Sequence, residues 1–260
     1  MPGRRSVLRA GVAMMTAPLA AACQTVLGPS KTDSNWDVQE RGRFTFYARS
    51  SSFAAKSIDQ LFLVLDDQCD YAAATLDVQY RAHVSMFLYD SNNDAGFPPD
   101  VAGVAYSDTQ TVRAVCAPPL DGNLMARVSH ELNHLITRNA LGQSGTYFMT
   151  EGIASAIISE RYHSSGRHFL FPWTASRLPQ LPAIAALLDD DHWNDSPTVI
   201  AYNTSASFLA WLVDLRGPAP LRQIFVARSK EISDRMESAY GRSVAQLEAD
   251  WKTFAAGWTG

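Results

Sequence analysis

The segment His130-Glu131-Leu132-Asn133-His134 constrains this sequence most strongly. The apolar residues around it recur at helical spacing, and residues four apart in a helix lie on one face. Two imidazoles one turn apart can reach a single metal ion, and zinc suits two neutral imidazoles and a carboxylate. Glu131 lies about 100° around the helix from His130, so it can reach a water molecule on that ion. We therefore predict a zinc site in which Glu131 takes the proton of the water.

The third metal ligand is expected to be Glu151. The helix with the two histidines is predicted to stop at Gly142, and the next helix starts near Thr150. A short return loop makes the two helices antiparallel, so that Glu151 faces the histidine pair, and Gly152 lets the two backbones approach. The alternative is that Glu151 only stabilises the first turn of its own helix.

Strand-like segments come first along the chain and helices follow, which predicts an α+β fold with the strands in the N-terminal half. Strands are expected at residues 43–47 and 84–89, and a hairpin at a sheet edge is expected from residues 104–106 and 111–116. Helices are expected at residues 58–76, 124–136, 150–162, 184–188, 200–215 and 221–227, and in a last segment with a Ser243–Gln246 capping box. Residues 91–99 are predicted to be a loop and residues 164–182 irregular.

The first 22 residues are predicted to be an export signal: a basic start with Arg4 and Arg5 precedes an uncharged apolar stretch and small residues. The stretch is shorter than the ~20 apolar residues of a membrane span. The arginine pair resembles a twin-arginine signal. Val7 and Arg9 replace the usual Phe and Lys of that signal, so the ordinary secretory route is the alternative. The prediction is an exported protein of the bacterial periplasm or cell envelope.

Cys23 follows a run of small residues that resembles a bacterial lipobox, which predicts a lipid on Cys23 as the sole membrane contact. The alternative is simple cleavage after Ala22. Polar residues then predict a tether over 23–40, followed by one domain over 41–260. The net charge of −4 gives no basic footprint for nucleic acid. The other two cysteines, Cys69 and Cys116, form either a disulfide in an oxidising compartment or two buried thiols.

An H-E-x-x-H motif is followed by a glutamate in the segment Glu-Gly-Ile-Ala. This order resembles the gluzincins, the clan of thermolysin and the zinc aminopeptidases. The specific residues lie at 130–134 and 150–155, and the resemblance covers roughly residues 80–215. It implies a zincin-like fold with an N-terminal mixed-sheet lobe, an active-site helix and a C-terminal helical lobe. It also implies that residues 104–106 or 111–116 bind substrate backbone.

Two departures from the family pattern are visible. Ser155 stands where thermolysin-like enzymes have an aspartate that supports a histidine ligand, so the support of the ligands must differ. The Gly-x-Met-Glu-Asn segment of the aminopeptidase branch is absent from the sequence, which does not support exopeptidase action.

Tyr202 is the expected stabiliser of the transition-state oxyanion, since gluzincins use a Tyr or His from the helical lobe for this role. The alternative is that Tyr202 belongs to the core, because it lines up with Ala206 and Leu209 at helical spacing. His192 is the second choice for the role.

The leading functional hypothesis is a zinc endopeptidase that hydrolyses peptide or protein substrates. One alternative is an inactive lipoprotein that uses the same scaffold to bind a peptide or protein partner, although such a module has no need of Glu131. Another is a metal-delivery protein, although that class favours closed coordination and this pattern leaves a position open.

Overall fold

The N-terminal half forms one mixed sheet in this computed structural model, which describes residues 35–162 and 169–259. The sheet has the order β1-β2-β3-β5-β4, with β1 at Trp36–Arg41, β2 at Phe44–Arg49, β3 at Val84–Tyr89, β4 at Gly103–Tyr106 and β5 at Thr111–Val115. The three central strands are parallel, and β1 and β4 are antiparallel edge strands. The predicted hairpin of β4 and β5 at a sheet edge is therefore confirmed.

The two faces of the sheet carry different apolar clusters. Met86 and Leu88 of β3 face the main core, where α1 (Phe53–Thr75) and α3 (Gly122–Leu141) cover the sheet. Phe87 and Tyr89 point to the opposite face, into an aromatic cluster with Trp36. Since β3 is buried on both faces, its sequence is apolar at every position except Ser85 and does not alternate.

Local signals fix where α3 begins and ends. The Asp121 carboxylate accepts a hydrogen bond from the backbone N–H of Leu124 at 2.9 Å, which caps the first turn. The helix ends at Gly142, whose φ of +93° is a conformation that side-chain-bearing residues rarely adopt. The predicted stop at Gly142 is confirmed, and the helix that carries the histidine pair is 20 residues long.

The remaining helices form the C-terminal part of the fold. Their bounds are Tyr147–Tyr162 (α4), Leu170–Ala175 (α5), Ile184–Leu187 (α6), Asp190–Asp195 (α7), Thr198–Arg216 (α8), Pro218–Phe225 (α9), Ser229–Tyr240 (α10) and Val244–Ala256 (α11). The capping box of Ser243 and Gln246 is present at the start of α11, as predicted. The α+β class, with a sheet lobe followed by helices, is confirmed.

Several local predictions were wrong. A short helix, α2 (Asn92–Ala95), lies in the predicted loop, and α5 lies in the segment that was expected to be irregular. Such short helices show too few turns for a period to be visible. In α10, Ile232, Met236 and Tyr240 are buried at every fourth position, a detectable signal that the prediction overlooked.

The tether predicted over residues 23–40 extends too far, because its last residues belong to a strand. Residues from Trp36 onward form β1, which pairs with β2. After the buried Trp36, half-buried and exposed residues alternate along this strand. Cys69 and Cys116 are free and buried, so the disulfide alternative is wrong and the thiol alternative holds. The predicted export signal, Cys23 and most of the tether lie outside the described residues. Within residues 35–162 and 169–259, no helix combines the length and apolarity needed to cross a bilayer.

Candidate metal centre

The two histidines lie one turn apart on the same face of α3. Their ring centroids are 4.6 Å apart and the ring planes are nearly perpendicular, at 88°. Both side chains are about one-sixth exposed, at 17% for His130 and 15% for His134, so solvent can still reach the pair. The pair is therefore a partly open site rather than two core histidines.

Glu151 reaches the pair from α4, after the short return loop that follows Gly142. The Asp190 carboxylate accepts a hydrogen bond from the backbone N–H of Tyr147 at 2.8 Å, which ties the start of α4 to α7. Glu151 Oε2 lies 2.9 Å from His130 Nε2 and 3.4 Å from His134 Nε2. The predicted ligand atoms of all three residues lie within 4.8 Å of one another.

The electrostatics keep Glu151 ionised. Burial alone would raise the pKa of this carboxyl group, but the charge of His134 and hydrogen bonds from both imidazoles outweigh burial. The pKa of Glu151 is therefore well below its usual range. An ionised carboxylate is the form that binds a metal cation.

The three donors fit a zinc ion. Tetrahedral zinc with ligands at 2.0–2.1 Å has ligand atoms ~3.4 Å from one another, and the His134–Glu151 distance of 3.4 Å already matches. The His130–Glu151 distance of 2.9 Å needs to open by roughly half an ångström to match that geometry. Calcium and magnesium prefer oxygen ligands, so the two imidazoles favour zinc over either ion.

Glu131 points away from the line of the two histidines, toward the edge strand β4. A Cβ atom added to Gly103 would lie only 2.5 Å from Glu131 Cγ, so the glutamate occupies space that the glycine leaves free. Burial, the largest effect, together with the nearby Glu151 carboxylate, raises the pKa of Glu131 to about 7, although His130 opposes this. The Glu131 side chain thus lies beside β4 and close to both His130 and Glu151.

Tyr202, in the second turn of α8, lies beside the same site. Its ring centroid is 6.0 Å from that of His130 and 5.0 Å from that of Trp193. Burial and a hydrogen bond with the Glu151 carboxylate raise the pKa of its hydroxyl, so the phenol stays protonated. The Tyr202 side chain also packs against the hydrophobic core. The residue therefore lies both at the candidate site and at the core, the two places that the sequence analysis gave as alternatives.

His192 does not join this group. Its imidazole is 71% exposed, and Nδ1 lies 3.1 Å from Asp189 Oδ1 in the same turn. Its place at the start of α7 makes it part of a helix cap, so the structure gives no support to His192 as the oxyanion stabiliser. His163 and His168 lie outside the described residues.

Comparison with known proteins gives a likeness of fold. Protein-family models and curated proteins give no match. Two similar solved structures are native yeast LTA4 hydrolase and native leukotriene A4 hydrolase from Saccharomyces cerevisiae, with 13% and 16% sequence identity. The TM-scores are 0.50 and 0.52, over 84% and 85% of this chain. This likeness agrees with the α+β, zincin-like fold that the sequence predicted.

The likeness covers only part of the neighbours. It spans 38% and 39% of the hydrolase chains, so this chain matches about two fifths of their length. Sequence identity this low shows the fold alone, and function must be argued from the site itself.

One feature around the proposed ligands differs from the sequence prediction, and a second agrees with it. Gly152 does not face α3: an added Cβ would lie 2.8 Å from Ser205 Cβ and 2.7 Å from Leu209 Cδ1, both in α8. The predicted role of Gly152 in the approach of α3 and α4 is therefore wrong. His134 Nδ1 is buried and has no hydrogen-bond partner among the described residues, in keeping with the serine at position 155.

Sequence reasoning missed Gly103, Asp190 and Trp193. Gly103 directly precedes the strand predicted at residues 104–106, and the structure includes it in β4. A glycine in a strand indicates a close approach by another group, so the signal would have been visible had the strand been extended by one residue. Asp190 lies in an acidic run that gave no reason to choose one carboxylate. Trp193 stacks on Tyr147, with 5.6 Å between ring centroids, and only the tertiary structure brings the two together.

Proposed function

We propose that this chain is a zinc-dependent peptidase, with His130, His134 and Glu151 as the metal ligands. The observation that carries the proposal is the convergence of these three donors from two helices, with Glu131 directly beside them. Two neutral imidazoles and one carboxylate are the ligand set of catalytic zinc sites that keep a fourth position open. The gluzincin-like fold supports the same proposal.

In this proposal the side chains divide the work of amide hydrolysis. Zinc, when bound, supplies the Lewis acidity that makes water nucleophilic near neutral pH and polarises the substrate carbonyl. The Glu131 carboxylate accepts a proton from the attacking water and passes it to the departing amine nitrogen. The Tyr202 hydroxyl donates a hydrogen bond to the oxygen on which negative charge develops.

The substrate is proposed to be a peptide or protein in extended conformation. Strand β4 pairs with β5 along one side, and its other side faces no further strand in the described sheet. An edge strand offers backbone donors and acceptors to which an extended peptide can add. Since Gly103 of β4 adjoins Glu131, a peptide bound there would lie next to the proposed base.

The proposed place of action is the bacterial cell envelope, on the basis of the N-terminal export signal and Cys23. Expression in bacteria that carry a labelled fatty acid tests this proposal. Wild type should fractionate with membranes and incorporate the label, whereas the Cys23→Ala chain should do neither. Unlabelled wild-type protein in the membrane-free fraction would exclude the lipid anchor.

The experiment that tests the peptidase activity compares wild type with Glu131→Gln. Metal content by elemental analysis should be about one zinc per chain in both, since the substitution leaves the ligands intact. Cleavage of a peptide library should fall by about 10²–10⁴-fold in the variant, because the general base is lost. Glu237→Gln, at an exposed position of α10, is the matched control and should cleave normally.

The same experiment separates the alternative of an inactive scaffold. Such a protein would bind peptides without cleaving them, and Glu131→Gln would change nothing. Cleavage that survives Glu131→Gln at the wild-type rate would exclude the proposed mechanism.

A further inference from the structure

Two fully buried amide side chains connect three helices behind the metal ligands. Gln68 of α1 and Asn133 of α3 are both 0% exposed. Gln68 Nε2 donates a hydrogen bond to Asn133 Oδ1 at 3.0 Å, and Asn133 Nδ2 donates to the backbone carbonyl of Ala154 at 3.3 Å. The chain of bonds therefore runs from α1 through α3 to α4.

These bonds meet the two ligand helices close to the ligands. Asn133 directly precedes His134, and Ala154 lies three residues after Glu151, within one turn. The bond from Asn133 to Ala154 thus joins the helix that carries the histidines to the helix that carries the glutamate.

Burial of these amides needs an explanation other than stability. A buried hydrogen bond between two side chains adds little net stability, since replacing both partners by apolar groups of the same shape is often nearly neutral or stabilising. Gln68 Oε1 has no hydrogen-bond partner within the described part of the chain, which adds a cost of burial. Apolar contacts between helices tolerate sliding, whereas a directed hydrogen bond selects one register.

A metal centre needs this kind of register. Ligand atoms must be held within ~0.5 Å of their working positions, and the glutamate is on a different helix from the histidines. Among the described residues nothing bonds to His134 Nδ1, so the usual support of a ligating imidazole is missing there. The position of α3 relative to α4 must then supply the precision.

We infer that Gln68 and Asn133 are positioning residues of the metal centre, which set the register between the histidine helix and the glutamate helix. The inference rests on the proposed zinc site. It assigns neither residue a contact with zinc or substrate.

The test is the double variant Gln68→Met/Asn133→Leu, which replaces both amides by apolar groups of similar size and leaves neither partner unpaired. Urea unfolding of the metal-free chain should show equal or higher stability. Zinc affinity, measured by competition with a chelating dye, should fall about 10–100-fold. The absorption spectrum of the cobalt-substituted protein should also change, because the ligand geometry changes.

Thr137→Val is the matched control. Thr137 is buried in the same helix, but among the described residues its hydroxyl bonds only to the Asn133 and His134 carbonyls of α3. Its loss should leave zinc affinity and the cobalt spectrum unchanged. The single variant Gln68→Met keeps the Asn133–Ala154 bond and should show a smaller loss of affinity, which provides the comparison if the double variant does not fold.

The outcomes separate this inference from the proposed function. Wild-type zinc affinity and an unchanged cobalt spectrum in the folded amide variants would overturn the inference and leave the peptidase proposal intact. A wild-type chain that binds no zinc would overturn both. A wild-type chain that binds zinc but cleaves no peptide would refute the peptidase alone, and the loss of affinity in the double variant would still establish the positioning role.

Discussion

Gly152 of α4 lies directly against Ser205 of α8. A Cβ atom built on the glycine would come within 2.8 Å of Ser205 Cβ and within 3.2 Å of the Ser205 backbone carbon. The contact between α4 and α8 is the most extensive contact between two helices in the described residues. At Gly152 the two helices come especially close to each other. Glu151 directly precedes Gly152 in α4. The packing of α4 on α8 therefore helps to determine where this proposed metal ligand lies.

Gly152→Ala should therefore weaken both the fold and the metal site. Alanine gains up to ~1 kcal/mol of helix propensity over glycine, but overpacking at a close helix contact costs ~1–3 kcal/mol. We expect a net loss of up to about 2 kcal/mol in the free energy of unfolding, together with weaker zinc binding. Urea unfolding and zinc titration measure the two effects.

Gly257→Ala is the control for this substitution, because an added Cβ there meets its nearest atom at an ordinary 3.5 Å. It should leave zinc binding unchanged. If Gly152→Ala binds zinc as wild type does, the contact with α8 does not determine the position of Glu151.

The convergence of the three proposed metal ligands could be predicted because it depends on local sequence signals. His130 and His134 are four residues apart in a segment with helical spacing, and Gly142 marks the stop that leaves room for a return loop. Two consecutive antiparallel helices are enough to bring Glu151 close to the two histidines. These relationships depend on residues near one another in the chain.

The partners of these elements could not be predicted in the same way. Gly152 indicated a close contact with another helix, but the sequence does not identify that helix. The helix in contact, α8, begins 46 residues later. The bond from Gln68 to Asn133 spans 65 residues, and an isolated buried glutamine has no periodic signal. Such pairings result from the packing of the whole core.

Gly103→Ala should impair catalysis without removal of the metal. The new methyl group would overlap Glu131 Cγ, so the proposed base must turn away from its position. A misplacement of about 1 Å can cost roughly 100-fold in rate, and we expect a loss of kcat/KM of this size at unchanged zinc content.

Val104→Thr is the matched control for Gly103→Ala. Successive strand residues point to opposite faces, so the side chain at position 104 points away from Glu131. Threonine and valine are also similar in size. It should retain activity. Full activity of Gly103→Ala would show that Glu131 need not occupy the space beside β4.

Both buried thiols should be inert in the folded protein. Burial is the main cause that raises the pKa of Cys69 and of Cys116 to about 12, so hardly any thiolate is present at pH 8. With the Cys23→Ser chain, a thiol reagent at pH 8 should react with neither cysteine until urea is added, and should then react with both. Rapid reaction of either thiol in the native protein would contradict its burial.

Removal of the metal should lower thermal stability. At free zinc 100 times above Kd, binding stabilises the folded chain by ~2.7 kcal/mol, which corresponds to a Tm higher by roughly 5–10 °C. A chelator should abolish this increase, and His134→Ala should lack it from the start. An equal increase with magnesium or calcium would contradict a site built on two imidazoles.

Tyr202→Phe should lower turnover with little effect on folding. The ring remains to contact Trp193 and His130, and only the hydroxyl proposed to stabilise the oxyanion is lost. Loss of one such donor costs about 10²–10³-fold in kcat, with KM nearly unchanged. Tyr240→Phe is the control, because the buried Tyr240 hydroxyl has no hydrogen-bond partner in the described part of the chain and lies in α10. If the two variants have the same kcat, Tyr202 acts as a core residue, and another donor must stabilise the oxyanion.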